Sequence, residues 1–128
     1  MSDSLNEEWI KTVLKECEGR GLATIWSYSE FENQTFEERC EAFFLILERV
    51  LESGQLRLRK YVKNGEYLTG TPIELVQRFR DVFPKADIRD TIDDMRYWFY
   101  GDPPDPCPAI AVWRYEHSDG RVEWMPCP

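Results

Sequence analysis

A chain of 128 residues with 42% hydrophobic and 14% aromatic side chains has enough apolar material for one core, which separates it from disordered tails despite 31% charged residues. Its net charge of −8 repels phosphate backbones and anionic lipid headgroups, so neither nucleic acid nor a membrane surface is an expected direct ligand. Met1-Ser2-Asp3-Ser4 lacks the basic and apolar stretches of a secretion signal, and no window approaches the ~20 apolar residues that span a bilayer. The expectation is a single cytoplasmic domain over residues 1–128.

The first helix is expected from about Leu5 to Arg20, capped by Ser4, because Leu5, Trp9, Ile10, Val13, Leu14 and Cys17 recur at helical spacing before Gly19-Arg20-Gly21. Leu22–Tyr28 is open between a short strand and a helical turn, since its β-branched and aromatic residues alternate only loosely with polar ones. Thr35 and Glu38 form a capping box that opens a second helix, which Gly54 ends. Its apolar stripe of Phe36, Cys40, Phe43, Phe44, Leu47, Val50 and Leu51 marks it as the centre of the core.

Leu56-Arg57-Leu58-Arg59 has the period of a half-buried strand with arginines outward. Asn64-Gly65 suits a tight turn, and Tyr67 and Leu68 would return along that strand. Thr71-Pro72-Ile73-Glu74 opens a third helix with an inner face of Leu75, Val76, Phe79 and Phe83, stopped by Pro84. Asp87–Met95 reads as a short acidic amphipathic helix, Tyr97–Tyr100 as a strand, and the prolines between Asp102 and Pro108 as an extended loop. Ala109–Tyr115, a turn at Ser118-Asp119-Gly120 and Val122–Trp124 then make a closing hairpin. The fold class that follows is α+β, with several amino-terminal and central helices on one face of a small, mainly antiparallel sheet that ends in a β-hairpin.

Charge is unevenly spread along this order: residues 1–55 carry −7, residues 56–89 carry +4 and residues 90–128 carry −5. Such segregation suits steering toward a cationic partner, although many acidic proteins have no special partner. Chemistry of its own is not expected. Cys17, Cys40, Cys107 and Cys127 form no C-x-x-C pair and His117 is the one histidine, so zinc lacks ligands, and reduced thiols are the simpler reading than a Cys107–Cys127 bridge. The glycines make no phosphate-binding pattern, and Asp87, Asp90, Asp93 and Asp94 lack the order of a calcium loop. No cofactor or metal is expected, and no catalytic residue is nominated. His117 beside a turn is more simply an exposed histidine than a base, and Cys107 has no neighbouring cation in sequence to activate it.

Phe83-Pro84, Trp98-Phe99-Tyr100, Cys107–Trp113 and Gly120–Trp124, with the Phe36–Gly54 helix and Leu56-Arg57-Leu58, together resemble a bacterial family, domain of unknown function 596. Members of that family are met beside large secreted toxins of the contact-dependent growth inhibition type. The resemblance therefore implies an immunity protein that neutralises the carboxyl-terminal domain of a cognate toxin, a basic nuclease being one such target. The contact residues to expect are Asp87, Asp90, Asp93, Asp94, Asp102 and Asp105, with Glu37, Glu38 and Glu41 as a second patch. The alternative is a small cytosolic adaptor or structural protein without catalytic activity, joined as a homodimer through an exposed strand of the terminal hairpin.

Overall fold

The structure, a computed structural model, describes residues 7–31, 33–60, 65–83, 99 and 107–127. Its central element is α3 (Phe36–Glu52), and the physical reason for its start is visible atom by atom. The Thr35 hydroxyl accepts a hydrogen bond from the Glu38 amide at 3.1 Å, and the Glu38 carboxylate accepts one from the Thr35 amide at 2.9 Å. Two amides that a helix start would leave orphaned are thereby satisfied. Gly54, at φ 78°, takes the left-handed backbone that turns the chain away after Ser53.

Before α3 come α1 (Glu7–Cys17) and α2 (Leu22–Tyr28). The open choice at Leu22–Tyr28 is decided for helix: Leu22, Ile25, Trp26 and Ser29 are buried at a period of three to four residues. The Ser29 hydroxyl donates to the Ile25 carbonyl at 2.8 Å, and Gln34 holds the following loop by donating to the Ser29 carbonyl and accepting from the Phe31 amide. α4 (Pro72–Val82) repeats the capping box with Thr71 and Glu74, and Pro72 sits where a missing amide costs nothing.

Three strands, β1 (Leu56–Arg59), β2 (Ile110–Glu116) and β3 (Val122–Cys127), form an antiparallel sheet in the order β1-β2-β3. Leu56 lies opposite Trp113 and Leu58 opposite Ala111, and these four side chains join the helices in one core. The Trp113 indole donates to the Arg20 carbonyl at 2.6 Å, which fastens the sheet to the turn between α1 and α2. Phe43, fully buried, collects the rings of Trp26, Phe44, Phe79, Phe83 and Phe99 at centroid distances of 5.3 to 6.5 Å. The opposite sheet face carries Arg57, Arg59, Arg114, Trp124 and Pro126, with Ile110 and Val112 buried on that side as well. The α+β architecture with its closing hairpin is as the sequence predicts.

Several details differ. Tyr67 and Leu68 return beside β1, but as a single bridge from Tyr67 to Arg59 and not as a strand. β3 extends past Trp124 to Cys127 and includes Pro126, which an edge strand tolerates because its outward amide has no ladder partner. Of the expected strand at 97–100 only Phe99 is described, and it is helical, with its ring 5.3 Å from that of Phe43. The expected acidic helix 87–95, the Ser4 cap and most of the proline loop lie outside the described residues. No helix among the described residues is long and apolar enough to cross a membrane.

Candidate functional site

α3 turns Glu37, Glu41 and Glu52 to solvent and leaves Glu48 half-buried, by the same periodicity that buries its phenylalanines. Glu37, Glu41, Glu48 and Glu52 are separated by 4, 7 and 4 residues, so at 100° per residue they lie within about 60° of one another. The stripe runs about 22 Å along the helix. Glu41 makes a two-pronged ion pair with Arg80 of α4, one of its contacts at 2.9 Å, and Arg80 lies over the Phe44 ring. Glu37 and Glu52, at the two ends, are exposed, and neither makes an ion pair among the described residues. The nearby cations on the α1 and α2 side are already engaged: Arg49 pairs with Glu7 at 2.8 Å, and Arg39 reaches Glu30 at 3.5 Å while donating to the Trp26 carbonyl.

The second predicted patch is therefore divided by the fold. Glu37 and Glu41 belong to the stripe, whereas Glu38 points about 100° away from Glu37 and its carboxylate serves the helix cap. The hydrogen bonds from the Thr35 backbone and side chain hold the Glu38 carboxyl below the usual carboxylate range. Glu48 and Glu52 extend the stripe beyond the residues nominated from sequence, and the signal was present in their spacing of 11 and 15 from Glu37. Asp87, Asp90, Asp93, Asp94, Asp102 and Asp105 lie outside the described residues.

The groups weighed for chemistry are now placed. All four cysteines are free, so no Cys107–Cys127 bridge forms. Cys107 is buried, its thiol donates to the Ala109 carbonyl at 3.3 Å, and burial pushes its pKa to about 12. Cys17 and Cys40 are likewise pushed to about 12 by desolvation, and Cys127 donates to the Gly19 carbonyl. His117 is half-buried and not fully exposed: its Nε2 lies 2.9 Å from Glu123 and its ring packs edge-on against Tyr115.

A cleft of about 510 Å³ opens on the other side, between β1, the Tyr67–Gly70 segment and the start of α4. Leu51, Leu56, Leu68 and Leu75 line its depth, and Arg57 and Arg114 are its charged side chains. Arg57 is stacked 3.9 Å from the Trp124 ring centroid and 5.4 Å from that of Tyr67.

A family model described as Protein of unknown function, DUF596, matches residues 51–125, more than half of the chain. The chain belongs to this family. The DUF596 match takes in the end of α3, α4, β1, β2, β3 as far as Met125 and every residue that lines the cleft. The solved structure of an uncharacterized protein conserved in bacteria, from Neisseria meningitidis, is similar at 28% identity and a TM-score of 0.72, over 92% of this DUF596 chain and 88% of that one. No curated protein gives a significant match.

Proposed function

We infer that the protein is an immunity protein, which binds a cognate bacterial toxin domain and neutralises it. The observation that carries this reading is the α3 stripe, a ~22 Å row of glutamates whose two ends make no ion pair among the described residues, in a chain of net charge −8. Such a row presents carboxylates at intervals a basic protein can meet with Lys and Arg, where its own anionic substrate would otherwise sit. Ion pairs at a rim of this kind act chiefly on the rate of encounter and on partner choice. The class of partner, the carboxyl-terminal domain of an exported toxin, is the one the sequence resemblance implies, and the acidity of the chain supports it. The acidic residues between 87 and 105 add to the negative charge of the chain. No catalytic step, cofactor or metal enters the mechanism, which is occlusion.

The test is co-expression in bacteria with the product of the upstream gene, or with its carboxyl-terminal domain where that product is a large exported protein. Restored growth, together with co-purification of the two chains, is the expected result. Continued killing with no co-purified partner rejects the reading.

A second reading, a homodimer, has its own observation. Tyr115 and Met125 are 52% and 46% exposed on one face of the edge hairpin, and Val122 is 39% exposed on the other. Sedimentation of the isolated chain separates the two, since a dimer through β3 shows a mass that doubles with concentration.

A further inference from the structure

The cleft beside β1 is bounded by a strand edge that the fold leaves partly unused. Gln55 accepts a hydrogen bond from Arg114 at 2.8 Å, which makes that pair a bonded one and sets the alternation along β1. The amide and carbonyl of Leu56, one residue on, therefore point away from β2. Further along, the outer edge is used, since Leu68 donates to the Leu58 carbonyl and Lys60 to the Glu66 carbonyl. The returning chain then departs at Gly70, φ 141°, to start α4 at its Thr71 cap. Among the described residues no backbone group bonds the outer edge at Leu56, a single strand position at the wall of the 510 Å³ cleft.

The charge around that edge is opposite to the charge of the molecule. Arg57 makes no ion pair among the described residues, and two aromatic faces hold its guanidinium in place. Arg114 reaches Glu116 at 3.6 Å, a loose contact across an exposed carboxylate. One guanidinium held between two rings, a second loosely paired, an apolar floor and an unpaired backbone edge call for a ligand with carboxylates, aliphatic side chains and a strand-like backbone. We propose that this cleft binds a short, extended, acidic segment of a partner protein, which adds to the edge of β1 at Leu56. In the bound state the segment's backbone pairs with Leu56, alternate carboxylates meet Arg57 and Arg114, and the intervening aliphatic side chains enter between Leu51 and Leu75. The site does not depend on the α3 stripe, and it stands or falls separately from the immunity reading.

The experiment is a titration of the full chain, labelled with ¹⁵N, with three probes: acetyl-Glu-Val-Glu-Val-Glu-amide, its Lys-for-Glu counterpart, and free glutamate at matched carboxylate concentration. The expected result is a saturable shift of the Leu56, Arg57 and Gly70 amides and the Trp124 indole with the acidic peptide alone. Arg57→Gln should weaken that binding by about tenfold, as loss of one charge-assisted contact does, with an unchanged spectrum elsewhere showing that the variant is folded. Equal shifts from the lysine peptide, or from free glutamate, overturn the proposal, the second by making the cleft a simple anion site. Absence of any shift at millimolar acidic peptide overturns it as well.

Discussion

Phe43 concentrates the stabilising contacts of the core in one side chain, since five other rings meet it and it is fully buried. Phe43→Ala should cost about 3 to 5 kcal/mol, the range for a buried aromatic that leaves a cavity, read as a lower midpoint in urea unfolding. The thiols give a second test at this scale. Cys17 and Cys107 are raised from the usual 9.0 to about 12 by burial, so they are protonated when folded and ionise when unfolded at pH 10. Their contribution to stability is complete below about pH 9 and is lost as pH rises toward about 12. At neutral pH iodoacetamide should label half-buried Cys127 well before Cys17 or Cys107, and equal rates for all three would contradict the burial described. Phe43 was legible in the sequence because it lies mid-stripe on a strongly periodic segment. The burial of Cys107 was not, because a cysteine between two prolines looks the same whether its thiol faces the core or solvent.

Helix starts were the most legible elements, because a capping box is local chemistry: Thr35 with Glu38 and Thr71 with Glu74 need nothing from the rest of the fold. Thr35→Ala and Thr71→Ala should each destabilise by about 1 kcal/mol in denaturant unfolding. The glutamates of both boxes are held below the usual carboxylate range by their threonine's backbone hydrogen bond. Their stabilisation is therefore present above that range and fades as pH falls through it, so Glu38→Gln or Glu74→Gln should flatten the acid side of the stability profile. An unchanged acid limb in both variants would contradict the capping geometry. Elements set by tertiary contacts were harder to see. Leu22–Tyr28 contains Thr24 and Ile25, which favour strands, and becomes helical because Ile25 and Trp26 pack together into the core. Tyr67 and Leu68 fall short of a strand because the chain must turn at Gly70 to reach the α4 cap.

Across the molecule, the alternation of charge along the sequence becomes a division between layers. The acidic amino-terminal segment places Glu37, Glu41, Glu48 and Glu52 on the outside of α3, while the basic middle puts Arg57 and Arg59 on the sheet face that looks away from the helices. Sequence periodicity carries the stripe and, with the capping box, sets Glu38 apart from Glu37, but it does not show which stripe carboxylate a neighbouring helix already holds, as Arg80 of α4 holds Glu41. Nor does it carry the cleft, which joins residues from Leu51 to Trp124 and exists only once β1, β3 and α4 are assembled. The central claim concerns what the stripe meets. Glu37→Gln, Glu48→Gln and Glu52→Gln, combined in one chain, keep the Glu41–Arg80 and Thr35–Glu38 hydrogen bonds, although Glu48→Gln removes a second carboxylate that acts on Arg80. The deciding measurement is the association rate of this triple variant and of the unaltered chain with the toxin domain recovered in the co-expression test, at low and at physiological salt. A rate at least about tenfold slower at low salt, with a flatter salt dependence, is what electrostatic steering by the stripe predicts. An identical rate and identical salt dependence would contradict it.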